Sequence, residues 1–155
     1  MRDEINAAVK AAMKAGEKSR LTTLRMITAA IKDRDIAARV DANGKQTGIE
    51  QVGDDEILQL LQKMIKQRRE SIATYETAGR KDLVAQEQAE IGIIEAFLPK
   101  QMTEEEVKAA VAEAVAEIKP DGMKDMGKVM GVLKSRYTGR MDFAKASAAV
   151  KAAIS

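Results

Sequence analysis

Cysteine, histidine and tryptophan are all absent from this 155-residue chain. Their absence removes a thiol nucleophile, an imidazole base, any disulfide and a zinc site of the usual ligand types. A carboxylate-only magnesium site stays chemically open, yet no run of Asp and Glu stands out as one. No catalytic residue, metal-ligand set or cofactor is assigned. Proline is as scarce as phenylalanine and tyrosine, at 2 residues each. The chain leans instead on Ala, Lys, Glu, Met, Ile and Val, which predicts an all-α fold. Long apolar runs are missing too: none approaches the ~18 residues that span a bilayer. Met1-Arg2-Asp3-Glu4 leads into an amphipathic segment, not the apolar core of a secretory leader. A cytoplasmic location with no membrane partner follows by default.

The spacing of apolar residues predicts a helix over 3–15 with Ile5, Val9, Ala12 and Met13 on one face, broken by Gly16. A longer helix over 19–39 carries Leu21, Leu24, Ile27 and Ile31. Residues 40–53, with Asn43-Gly44, Gly48 and Gly53, read as an exposed, mobile loop. Asp54 reads as the N-cap of a helix bearing Ile57, Leu61, Met64, Ile65, Ile72 and Tyr75, which Gly79 ends. The next helix begins near Lys81 and carries Leu83, Val84, Ile91, Ile94 and Leu98. A short connection between two long helices predicts an antiparallel hairpin. Pro99 marks the lobe boundary, because it cannot continue a helix. The organisation expected is an N-terminal helical domain over 1–98 and a small three-helix tail domain over 99–155. In the tail, Thr103-Glu104-Glu105-Glu106 reads as a capping box. Helices follow from there to Ile118, over 124–136, and after an Asp142 cap.

Two charged residues fall where apolar ones belong. Arg68 sits within the apolar stripe of its helix and Glu87 within that of the next, at about one level once the hairpin folds at Gly79. A structural ion pair is expected, because an unpaired buried charge costs about 3–5 kcal/mol. Asp35, also within an apolar stripe, could complete the network. The alternative is a catalytic pocket around Arg68, which would need a nucleophile or acid–base pair that the sequence does not supply.

Net charge is only +2, but its distribution is uneven: residues 1–98 hold 16 basic and 16 acidic side chains, and residues 124–155 hold 7 and 2. Lys124, Lys128, Lys134, Arg136, Arg140 and Lys145, with Lys151 behind them, crowd the end of the chain. Several lie around Gly127 and Gly131, one helical turn apart. Such glycines serve either tight packing on a neighbouring helix or close approach of a sugar–phosphate backbone, with the cations contacting phosphates. Tyr137 either joins the core or stacks on a base.

Segments 21–32 (LTTLRMITAAIK), 66–72 (KQRRESI), 75–83 (YETAGRKDL), Glu90-Ile91, 97–101 (FLPKQ) and 125–130 (DMGKVM) together resemble, in order, the signatures of YqeY-type proteins. That family is similar to the C-terminal helical and tail regions of the GatB subunit of tRNA-dependent amidotransferases, where a related Gly-x-Val-Met segment contacts tRNA. The module also occurs as a tRNA-binding appendage of a glutaminyl-tRNA synthetase. Gly127-Lys128-Val129-Met130 and Thr138-Gly139-Arg140 map onto the tail segment. The resemblance implies a tRNA-binding accessory, with an aminoacyl-tRNA synthetase or amidotransferase component as partner. Carbon–nitrogen ligase activity belongs to parts of the parent complex missing here, and no phosphate-cradling Gly-rich loop is present. Two further readings are a component of a glutamine-dependent amidotransferase, and a protein adaptor using Met123, Met126, Met130 and Met141 as an adaptable surface.

Overall fold

The computed structural model describes residues 1–155. It is all-helical, as expected: α1 (Arg2–Ala15), α2 (Lys18–Ala38), α3 (Asp54–Thr77), α4 (Lys81–Glu95), α5 (Glu104–Ile118), α6 (Met126–Tyr137) and α7 (Phe143–Ile154), with a 3₁₀ turn Met123–Asp125 before α6. The helices fall into two compact units, Met1–Leu98 and Pro99–Ser155. None is long and apolar enough to cross a membrane.

The first unit is two helical hairpins. Gly16 ends α1 at φ 69°, a left-handed conformation glycine reaches without a Cβ clash, and Gly79 does the same after α3 at φ 71°. Between the hairpins lies a core that includes Ile5, Leu24, Ile27, Ile57, Leu61 and Ile94, all at most 1% exposed. Each such side chain contributes about 1.5–3 kcal/mol by leaving water. Asp54 is not the cap of α3. Gly53 occupies that position, and Asp54 opens the first turn with Asp55 and Glu56, where carboxylates complement the helix dipole. Helix α4 ends at Glu95; Phe97 and Leu98 follow in tight turns, their N–H groups bonded to Ile94 and Glu95 carbonyls.

Residues 40–51 form an exposed loop, as expected, Val52 at its end is buried, and local bonding runs through it. Asp41 accepts from the backbone N–H groups of Asn43 (2.8 Å) and Lys45 (3.0 Å), and Val40 pairs with Gln46 in an isolated bridge. Thr47 returns to the end of α2 through its hydroxyl, which donates to the Ala38 carbonyl (2.5 Å). Asx-turn bonding of this kind replaces missing helix or sheet partners locally.

The second unit packs α5, α6 and α7 around Val111, Ala114, Val129, Leu133, Met141, Ala146 and Val150. Both expected caps form: Thr103 accepts from Glu106 N–H (3.1 Å), and Asp142 accepts from Ala144 N–H (2.9 Å). A strap over 100–102 runs along the α6–α7 turn. There Met102 N–H bonds the Arg140 carbonyl (2.9 Å), Gln101 Nε2 the Gly139 carbonyl (2.6 Å), and Arg140 Nε the Lys100 carbonyl (3.2 Å).

Candidate functional site

The buried charges of the first unit form two separate pairs, not one network. Arg68, 7% exposed, pairs with Glu90 (Nε to Oε2, 3.0 Å), not with Glu87. A hairpin pivoting on Gly79 sets residue 68 level with residue 90, so the expected partner was one turn short. Arg68 also donates to its own helix at the Met64 carbonyl (3.2 Å) and to the Met26 sulfur (3.8 Å). Glu87 stays half-buried beside the pair. Burial pushes its carboxyl above the ordinary range, the Glu90 charge adds to this, and Arg68 opposes it.

Asp35 belongs elsewhere. Arg2 grips both its oxygens (2.9 and 3.0 Å) and also bonds the Val52 carbonyl (3.0 Å), while Val52 N–H donates to Asp35 (2.8 Å). The hydrogen-bonded Arg2 holds the Asp35 carboxyl below the usual carboxylate range, against burial, with Val52 helping. This clamp ties α1, α2 and the end of the 40–53 segment together. Neither pair has a nucleophile beside it, and both act on packing.

The cations of the second unit divide by what holds them. Arg136 is gripped by Glu117 of α5 at 3.1 and 2.7 Å, which keeps that carboxyl below its ordinary range and the guanidinium above its own. Arg140 donates its Nε to the Lys100 carbonyl of the strap and makes no ion pair. Lys124 pairs with Asp121 (3.2 Å), both side chains exposed, and Lys128 with Asp125 (3.4 Å), whose carboxylate is only 17% exposed. The first pair is worth little and yields readily to another anion. Lys134 and Lys145 are exposed and take part in no ion pair. Lys145 adds only its backbone N–H to the Asp142 cap.

Gly127 and Gly131 lie on the exposed side of α6, and a Cβ on either would meet nothing within 4 Å. Tight packing on a neighbouring helix within the unit is therefore not their role. Helical phase sets Lys134 and Lys128 to either side of this bare strip. Tyr137 is half-buried against the second core. The methionines do not share one exposed face: Met141 is buried, Met126 and Met130 pack against the core, and Met123 alone of the four is exposed.

The profile of a family described as Yqey-like protein matches residues 2–154. Among curated proteins, the chain is similar to three fungal proteins named "Altered inheritance of mitochondria protein 41, mitochondrial". The match with that of Pyrenophora tritici-repentis is 30% identical, covering 88% of this chain and 70% of the relative. For Lachancea thermotolerans it is 34% identical, over 72% and 56% respectively. For Eremothecium gossypii it is again 34%, over 58% and 44%. The chain thus spans as little as about half the length of some of the relatives it matches. Those names place the relatives in mitochondria, which overturns the default expectation of a cytoplasmic location. The default rested on the lack of an apolar leader, and mitochondrial addresses are amphipathic and arginine-rich, not apolar.

Proposed function

The chain belongs to the YqeY-like family, and on that premise we propose that it is an RNA-binding accessory, with tRNA as the ligand, that does not catalyse a reaction by itself. One observation carries this reading: the bare strip of Gly127 and Gly131, with open space above it and lysines on both flanks. Glycine within a helix costs about 0.5–1 kcal/mol against alanine. That cost brings no packing inside the unit, which fits a surface kept low for an approaching backbone. Lys128 and Lys134 then supply phosphate contacts, with Lys124 and Lys145 as further donors whose ammonium groups are free or only weakly paired. Arg136 is matched by Glu117, and Arg140 ties the strap to the α6–α7 turn through its Nε. The resemblance of this segment to the amidotransferase tail agrees with the assignment.

Titration of the protein with total tRNA at low and near-physiological salt tests the reading. Affinity is expected to fall steeply with salt, and Lys128→Glu with Lys134→Glu to lower the slope of log K against log salt by about one per lysine. Absence of binding at low salt, or a slope unchanged by both reversals, removes the RNA assignment from this face.

A further inference from the structure

Helix α2, with Arg39 at its C-cap, carries a second charged surface, in the first unit and independent of the RNA reading. Lys18, Arg25, Lys32 and Arg39 recur every seven residues and are all exposed. The ion pairs of this unit are made by other cations: the Met1 amino group, Arg2, Arg20, Arg34, Arg68, Arg69 and Arg80. Seven residues advance a helix by about 10.5 Å and turn it by about −20°, so the row runs nearly straight for about 32 Å. Between the cations, again at sevenfold spacing, stand Thr22, Ala29 and Ile36, also exposed. The alternation is four residues, then three, from end to end, which is the spacing of a coiled-coil seam.

We propose that this face of α2 docks an acidic α-helix of a partner protein, with carboxylates at sevenfold spacing opposite the cations and apolar side chains over Ala29 and Ile36. Three features favour a helix over a nucleic-acid strand. A seam with a 3.5-residue period is matched along its whole length only by another helix. Ile36 and Met26 remain 48% and 44% exposed, and such side chains gain from an apolar partner and nothing from phosphate. Asp33, one turn beyond Ala29 and exposed, would repel a continuous polyanion but can be skirted by carboxylates placed at intervals. Thr22 and Ala29 are small enough for the two helix axes to come close, which brings the flanking charges into contact.

The test uses the full chain and three labelled synthetic helices of about 24 residues, read by fluorescence anisotropy at about 50 mM salt. The first has Glu at every seventh position with Ala and Leu on the seam; the second has the same composition scrambled; the third has Lys in place of Glu. The first is expected to bind at least about tenfold tighter than the second. The variant R25E/K32E should lose about tenfold for the acidic helix and gain affinity for the Lys-bearing one. A circular dichroism melt of the variant shows whether it is folded. No binding of the acidic helix up to about 0.2 mM, a range in which even a weak specific complex registers, overturns the proposal, and so does equal binding of the scrambled helix. A 16-base-pair RNA duplex, about the span of a double-strand reader, serves as the competing probe. If it binds and loses affinity in R25E/K32E while the acidic helix stays unbound, the row belongs to nucleic acid. Lys128→Glu with Lys134→Glu leaves the acidic-helix titration unchanged, so failure here and failure of the RNA reading are told apart.

Discussion

Replacing Gly131 separates folding from binding at the bare strip of α6. The residue is central in a helix of 12 residues, its φ is not in the left-handed region, and a Cβ built on it meets nothing within 4 Å. Gly131→Ala therefore loses no contact and narrows the unfolded ensemble, so the second unit should gain about 0.5–1 kcal/mol. In a unit of this size that raises the melting temperature by roughly 4–8 °C per kcal/mol. Gly131→Leu keeps most of the gain, because leucine is nearly as good a helix former, yet it raises a side chain over the strip. If an RNA backbone approaches there, tRNA affinity falls at least about tenfold while stability rises, a loss comparable to a good contact. Circular dichroism melts and tRNA titration of the same preparations check both halves. Destabilisation by alanine would refute the open face; unchanged tRNA affinity with leucine would refute its use.

Other perturbations follow from the buried pairs. Asp35→Asn should destabilise the first unit by about 2–3 kcal/mol at neutral pH, below the full cost of breaking a buried pair because Arg2 is partly solvated. The folded Asp35 carboxyl lies below its unfolded value, so its stabilisation is complete above about pH 4 and is lost as pH falls through the lower folded value; urea midpoints against pH should show a shallower acid limb in the variant. Glu87 is shifted the other way: its contribution is full at low pH and lost as pH rises through the raised folded value, so Glu87→Gln should stabilise by a few tenths of a kcal/mol at about pH 7. Arg68→Met alone should cost about 1–3 kcal/mol by stranding Glu90, and adding Glu90→Leu should recover most of it in a denaturation cycle.

Much of the fold is written locally and could be read that way. Thr103 and Asp142 declare helix starts through their own side chains, and Gly16 and Gly79 declare ends through a conformation other residues avoid. Apolar spacing then gives the faces. What spacing does not give is the level at which two helices meet. Glu87 and Glu90 both lie on the side of α4 that turns toward α3, and a difference of three residues, about 4.5 Å along the axis, decides which reaches Arg68. Asp35 was harder still. Its partner Arg2 comes from the first helical residue, and the third member is the backbone of Val52, a group with no sequence signature.

The candidate interface was legible as charge and illegible as available charge. Counted along the chain, the segment after Lys124 is strongly basic, because α5 lies outside the window. In the folded unit Glu117 of α5 reaches across to Arg136, and the strap carbonyl of Lys100 takes Arg140. Arg136 is thus matched by a carboxylate before any ligand arrives, while Arg140 lends its Nε to a carbonyl and stays without an ion pair. A window drawn around the whole unit includes Glu104, Glu105, Glu106, Glu113 and Glu117 and cuts the excess of basic over acidic side chains from 5 to 2. The glycines behave in the opposite way. In sequence they fit packing and binding equally well, and only the empty space above them in the fold separates the two. A charge becomes a candidate contact when no carboxylate claims it, and a glycine does so when nothing inside the protein needs its lack of a side chain. On α6 the glycine criterion singles out Gly127 and Gly131 and the charge criterion Lys134 beside them, Lys128 being shared with Asp125; on α2 the charge criterion alone singles out the unpaired row.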